Sequence, residues 1–275
     1  MAKQYHRFFR LKERHLMFLI AILCLPFMLL LLPLILIFRF SSPPKGVKIA
    51  LVVSDRWPDF LQYARFPYDL ALFRAGARVV TVSPGKNNRI NEVLDKVDGV
   101  LFTGGDDIGE DEIYDDLGFS IIKEAEKRNM PILGVCRGMQ LIAIAHGGVL
   151  ATHDSDPDLL NRHKSSSSFS FAGHNVNIDS ESKLYRIFQV SAIHVNSLHH
   201  QSVEQPGDLK VSALSDDTTI EALESSGDHF LIGVQWHPEI RALFNMKNEK
   251  IFEALTSAAV EHKEGLQKRD GEKSE

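Results

Sequence analysis

Cys136 lies in Gly134-Val135-Cys136-Arg137-Gly138, between an apolar run and a helical one. This is a G-x-nucleophile-x-G elbow with cysteine where serine is commoner. The glycines let the chain turn sharply and let the helix pack close to the strand. The turn exposes the sulfur and aims it at a helix N-terminus, where the dipole and N–H groups favour a thiolate. The N–H of Arg137, and one near Gly105, are placed to bind an oxyanion. A lone cysteine is more often a small buried residue; the flanking glycines argue otherwise. A thiolate nucleophile needs a base, and Val234-Gln235-Trp236-His237-Pro238-Glu239 supplies one at the end of another apolar run. His237 can take and return the thiol proton, and Glu239, two residues on, can orient the ring and stabilise its charged form.

The elements that must position these residues follow from the apolar pattern. Val47 to Val53 is nearly continuous and suits a strand buried on both faces. Asp59 to Ala75 has helical spacing and stops at Gly76. Arg78 to Val82 reads as a second strand, Gly99 to Thr103 as a third that runs into Gly104-Gly105, Ser120 to Arg128 as a helix, and Pro131 to Val135 as a fourth strand. This alternation implies an α/β fold with a doubly wound, mostly parallel sheet, in which ligands bind beyond the carboxyl ends of the strands. Gly104-Gly105, Cys136 and His237 all fall at such ends. Strands are also expected over Leu209 to Leu214, Thr219 to Glu224 and Phe230 to Trp236. His163 to Phe171, with its four serines, reads as an exposed loop. Glu249 to His262 reads as a closing helix with Asn248 as N-cap, and 263–275 as a frayed, charged tail.

The 275 residues divide unevenly in charge. Residues 1–48 hold eight Lys/Arg against one Asp/Glu, and the remainder 23 against 35, for a net charge of −5 overall. An acidic body repels phosphate backbones, so no nucleic-acid partner is expected. The two cysteines, Cys24 and Cys136, can build neither a disulfide framework nor a cysteine metal cluster. Leu16 to Phe38 is 23 residues without a charge, long enough as a helix to cross a ~30 Å hydrocarbon core. A cleaved signal peptide or a core helix are the other readings; an uncleaved single-pass membrane anchor is the one favoured. The expected organisation is a basic flank over 1–15, a transmembrane anchor over 16–38, a linker over 39–46, the α/β domain over 47–262 and a charged tail over 263–275. The positive-inside bias favours a cytoplasmic N-terminus, while Pro26 and Pro33 could instead bend the span into a hairpin.

Three stretches together resemble the class I glutamine amidotransferase superfamily, and within it the γ-glutamyl-γ-aminobutyrate hydrolase-like branch, peptidase C26. They are Pro131 to Gln140, Val195-Asn-Ser-Leu-His-His-Gln201 and Gly233-Val-Gln-Trp-His-Pro-Glu239, with weaker likeness at Leu101 to Gly105 and Gly147-Gly148; Tyr68 to Pro84 also resembles the family's first helix and second strand. The resemblance covers roughly residues 47–245. It implies a Cys136–His237–Glu239 triad, oxyanion-hole N–H groups from Gly105 and Arg137, and contacts to a γ-glutamyl group from Gln140, His200 and Gln201, with His199 less directly involved. It implies a small-molecule γ-glutamyl substrate and no metal or organic cofactor, and leaves homo-oligomerisation open. The sequence departs from the family at Tyr114 to Gly118, which keeps one Asp and loses an Arg and a Glu, on what is expected to be the leaving-group side. The activity implied is cysteine-dependent hydrolysis of γ-glutamyl amide bonds through a glutamyl thioester. A glutaminase feeding ammonia to a separate synthase and a silent scaffold are the alternatives.

Overall fold

The computed structural model describes residues 46–53, 65–84, 89–110, 112–153, 156, 158, 163, 172–242 and 246–272. Val47–Val52 forms strand β1, and all of it except Lys48 is buried. Its neighbours are β2 (Ala77–Val82) and β3 (Gly99–Phe102), both parallel to it. Next come β4 (Ile132–Val135), parallel to β3, and β11 (Leu231–Val234), parallel to β4. These five short strands are rich in Val, Ile and Leu because helices cover both of their faces.

On one face lie α1 (Phe66–Arg74) and the long α7 (Lys250–Glu272), whose Ile251, Phe252 and Leu255 are fully buried. Burying each such side chain contributes about 1.5–3 kcal/mol. On the other face, α2 (Ile90–Leu94), α3 (Glu112–Lys127) and α4 (Arg137–Ala145) bury Leu94, Ile121, Ile122, Met139 and Ile142. The result is a three-layer α/β arrangement.

The sheet does not stay parallel. Its order is β2-β1-β3-β4-β11-β10-β9-β6-β7. From β11 onward, β10 (Ile220–Glu224), β9 (Lys210–Ser215), β6 (Ala172–Ile178) and β7 (Ala192–Ser197) join antiparallel. A further antiparallel pair, β5 (Val149–Thr152) with β8 (Gln201–Gln205), attaches to β10. Short helices α5 (Lys183–Phe188) and α6 (Pro238–Ala242) and a 3-10 turn, Met246–Glu249, complete the described elements.

Several expectations are corrected by this architecture. Five of eleven strands are parallel, so the sheet is mixed rather than mostly parallel. Strands β5, β6, β7 and β8 were not expected as such, and α3 starts eight residues before Ser120. Asn248 lies inside the 3-10 turn that leads into α7 rather than capping the helix. The charged tail is helical as far as Glu272, and Lys263 Nζ donates to the Gly46 carbonyl at 2.6 Å. His163, expected in an exposed loop, is fully buried, while 164–171 lie outside the described residues.

The expected transmembrane helix and single-pass membrane localisation are likewise corrected. Among the described residues no helix is long and apolar enough to cross a membrane. The one that is long enough, α7, carries charges along its length, among them Glu253, Glu261, Lys263 and Glu264. The basic flank 1–15, the segment 16–38 and the linker up to residue 45 lie outside the described residues. So do 59–64, the first residues of the expected helix before α1.

Candidate active site

Strands β3, β4 and β11 are neighbours and parallel, so their carboxyl ends lie side by side. Each runs directly into a residue singled out by chemistry: Gly104-Gly105 after β3, Cys136 after β4, His237 after β11. The Cys136 N–H donates to the Val234 carbonyl at 2.7 Å, which ties the elbow to the strand that delivers the histidine.

Cys136 has φ 51° and ψ −107°, a backbone conformation rare for a residue with a side chain. The close packing around it needs glycine on both sides. A Cβ at Gly138 would lie 2.5 Å from the Phe102 carbonyl oxygen, and one at Gly134 would lie 2.6 Å from the backbone of Gly138. The elbow thus holds α4 against β3 and β4 with no room for a methyl group. The cysteine is nearly buried, and its sulfur sits at the start of α4, where N–H groups point out of the helix.

His237 Nδ1 is 2.6 Å from Glu239 Oε1, within a buried turn where Pro238 opens α6. With Nδ1 engaged, Nε2 is the ring nitrogen left to exchange a proton with Cys136. Burial works against a charged imidazole here. The negative charges of Glu239 and Cys136, with the hydrogen bond to Glu239, overcome it and raise the His237 pKa well above its ordinary value. Gly104 packs against the same ring: a Cβ there would lie 2.6 Å from His237 Cε1 and 3.5 Å from Cys136 Cβ. His237 thus lies between Glu239, bonded to its Nδ1, and the Gly104 backbone, which also borders Cys136.

Gly105 packs beside the Arg137 side chain. That side chain points away from the cleft: its guanidinium is buried, pairs with Asp115 and sits 3.9 Å from the centre of the Tyr114 ring. Asp115 also accepts from the Gly109 N–H at 2.8 Å, and Tyr114 OH donates to the Val52 carbonyl at 3.1 Å. The divergent segment beginning at Tyr114 thus braces the elbow and the loop after β3 from inside α3.

The residues expected to hold substrate are placed less directly. Gln140 is buried, and its Nε2 donates to the Gln201 carbonyl at 2.9 Å and to Gln235 Oε1 at 3.3 Å. The Gln201 carbonyl also accepts from His199 Nδ1 at 3.1 Å. His200 Nε2 is 2.7 Å from Asp107 Oδ2, so the turn between β7 and β8 is bridged to the loop after β3. Gln140 and Gln201 thus bond to one another; His200 faces Asp107.

The matching family model is that of peptidase C26, over residues 54–239. The chain belongs to the peptidase C26 family. It is 35% identical to a glutamine amidotransferase of Mycobacterium tuberculosis, over 80% of this chain and 75% of that one. It is 30% identical to a glutamine amidotransferase-like protein of Rickettsia prowazekii, over 74% and 92%. It is 29% identical to the γ-glutamyl-γ-aminobutyrate hydrolase PuuD of Escherichia coli, over 63% and 76%. Among solved structures, the glutaminase domain of Trypanosoma brucei CTP synthase with bound acivicin aligns with TM-score 0.62 at 19% identity, covering 78% of this chain and 94% of that one. The fold is the class I glutamine amidotransferase-like fold.

Two further residues beside the cysteine and histidine were given no role by the sequence. Tyr68, on α1, accepts from the Gly104 N–H at 3.1 Å. Burial, then the negative charge of Glu239, push its pKa well above the usual value, so it stays a neutral hydroxyl. Gln235 donates to Cys136 Sγ at 3.5 Å and receives Gln140 on its other atom. Gln235 lies inside the Gly233–Glu239 stretch and Tyr68 begins the likeness over Tyr68 to Pro84, but neither stretch says what the side chain touches.

Sequence reasoning also missed a buried histidine cluster away from the cysteine. His163, His174 on β6, His199 in the β7–β8 turn and Glu221 on β10 converge, with His153 beside them. Burial, then the field of His199, push His163 down to about 4. Glu221 is fully buried, which opposes its charge, yet the facing rings of His174 and His199 hold it at about 2.

Proposed function

We propose that this chain hydrolyses γ-glutamyl amide bonds, with Cys136 as nucleophile, His237 as general acid and base, and Glu239 as the group that orients and charges His237. The observation that carries this reading is the 2.6 Å contact between His237 Nδ1 and Glu239, on a ring that borders Gly104 together with Cys136 at the strained elbow. Membership in peptidase C26 and likeness to a γ-glutamyl-γ-aminobutyrate hydrolase support the substrate class.

An imidazolium beside a sulfur favours the thiolate, which attacks the γ-carbonyl carbon and forms a C–S bond. The negative oxygen that develops is met by the N–H groups of Arg137 and Gly105, in a site fixed before substrate arrives. Collapse breaks the C–N bond, and the amine departs with the proton from His237 Nε2. Water then gives its proton to the same nitrogen and adds to the thioester carbonyl. Expulsion of the sulfur releases glutamate and restores the resting pair. Glu239 stays ionised throughout and compensates the charge on His237. Gln140, His200 and Gln201 border the cleft that takes the glutamyl end, and the amine leaves on the side of the loop that carries Asp107.

The test uses the full chain beside Cys136→Ala, each incubated with γ-glutamyl amides and with glutamine while glutamate and ammonia are followed. Glutamate release from a γ-glutamyl amine by the wild type, abolished in the variant, is the expected result. Equal release by both would overturn the mechanism. Release from glutamine alone would replace the hydrolase reading with a glutaminase acting for a synthase.

A further inference from the structure

We propose that His163, His199 and Glu221, completed by His174, bind a divalent transition-metal ion of the zinc class. Three ring nitrogens face one carboxylate oxygen: His174 Nε2 at 3.1 Å, His163 Nδ1 at 3.5 Å and His199 Nε2 at 3.5 Å from Glu221 Oε1. The ligand atoms of His163, His199 and Glu221 all lie within 4.8 Å of one another. A tetrahedral ion with bonds of ~2.0–2.1 Å holds its ligand atoms ~3.3–3.4 Å apart, so the three nitrogen–oxygen spacings already bracket what such an ion needs.

The cluster is unusual in what it leaves undone. His163 Nδ1, His174 Nε2, His199 Nε2 and both Glu221 oxygens are buried, and none makes a hydrogen bond of acceptable geometry. Orphaned buried polar atoms are costly, and here they all point into one space. The opposite sides of two rings are satisfied. His163 Nε2 is 3.0 Å from Asp217 Oδ2, and His199 Nδ1 is 3.1 Å from the Gln201 carbonyl. Donation to those acceptors places each ring's remaining lone pair toward Glu221. A histidine that gives one N–H to a carboxylate or carbonyl and turns its other nitrogen inward is arranged as metal ligands are. Asp217 is itself held by Ser215 Oγ and by Thr219 Oγ1, so its orientation is fixed as well. Neutral imidazole and ionised carboxylate favour zinc or its late first-row neighbours over calcium or magnesium.

The ion would fasten four separate pieces of chain: the segment at 163, β6, the β7–β8 turn and β10. It would also hold the Gln201 carbonyl, through His199, against Gln140, which links by way of Gln235 to Cys136. Its part is to position the substrate-side turn, and it takes no step in the hydrolysis. Ion binding can therefore be measured without reference to the proposed reaction.

The experiment uses the full chain without a histidine tag, stripped with a chelator and titrated with zinc, with binding read by calorimetry. Cobalt loading is read by the intense visible bands of a tetrahedral ion. About one equivalent is expected, lost in a His163→Gln/His199→Gln double variant and in Glu221→Gln, and retained in His194→Gln, outside the cluster. Asp217→Asn should weaken binding by ~10–100-fold without removing a ligand. Circular dichroism confirms that each variant is folded; should Glu221→Gln fail that test, His174→Gln takes its place. No bound ion in the folded wild type, or equal binding by the double variant, would overturn the proposal and leave a shared proton as the occupant of the cluster.

Discussion

Replacing Glu239 by glutamine keeps the shape of the side chain and removes its charge at the one atom, Oε1, that lies 2.6 Å from His237 Nδ1. Two unit charges ~4 Å apart interact by about 4 kcal/mol at an effective dielectric of ~20. A hydrogen bond to a charged group gives a lower figure, about 1.5–3 kcal/mol. The imidazolium must persist while sulfur attacks and the amine departs, so Glu239→Gln should lower kcat by roughly 10- to 1000-fold. The cleaner assay is the pH titration of the His237 ring, followed by NMR. Because its pKa is raised, the ring should keep its proton above pH 6.5. In Glu239→Gln the titration curve should move down toward that value. The linkage has the same sign in stability. A raised histidine pKa stabilises the fold below the unfolded value near 6.5, and that contribution is lost as pH rises through the folded value. The variant should therefore lose more stability at pH 6 than at high pH. Unchanged kcat together with an unchanged titration curve, in a variant that melts like the wild type, would refute the reasoning.

Other perturbations read other parts of the site. Asp115→Asn leaves the Arg137 guanidinium buried without its counter-charge and should cost about 3–5 kcal/mol in urea unfolding; a loss under ~1 kcal/mol would show that the pair is not needed. Gly138→Ala pushes a methyl group into the Phe102 carbonyl and should cost ~1–3 kcal/mol or more. Gly227→Ala, with nothing within 4 Å of its Cβ, should stay within ~0.5 kcal/mol, and similar melting of the two would contradict the packing at the elbow. Tyr68→Phe strips the acceptor from the Gly104 N–H, worth about 1–3 kcal/mol if that amide stays buried. The β3 loop should loosen over His237, with kcat falling more than thermal stability; an unaltered kcat would remove Tyr68 from any positioning role.

The parts of the site that the sequence made legible are those whose geometry is local. Gly134, Cys136 and Gly138 form one turn, and the steric demand for glycine is written within five residues. His237 and Glu239 are two positions apart on one short turn, so their contact needs no other element. The parallel strands were legible because burial on both faces leaves an uninterrupted apolar run, as in Ile49 to Val52. Strand β6 was not, because His174 shares the inward face with Val176 and Ile178, and a polar residue in that register breaks the alternation that marks a strand.

Everything that depends on distant segments meeting was decided by the tertiary structure. The likeness at 195–201 pointed to His200 and Gln201, and only packing shows His200 facing Asp107 and the Gln201 carbonyl accepting from Gln140 and His199. Arg137 was chosen for its backbone, and only the approach of α3 shows its side chain paired with Asp115. Tyr68 reaches Gly104 because α1 packs on the same face as α7. The histidine cluster is the clearest instance. Its members sit at 163, 174, 199 and 221 with no common spacing, on pieces of chain that become neighbours only in the antiparallel half of the sheet. Local sequence determined the residues able to carry charge and turn the chain. Long-range strand pairing decided which of them face one another, since contacts between distant segments leave no periodic trace in the sequence that brings them together.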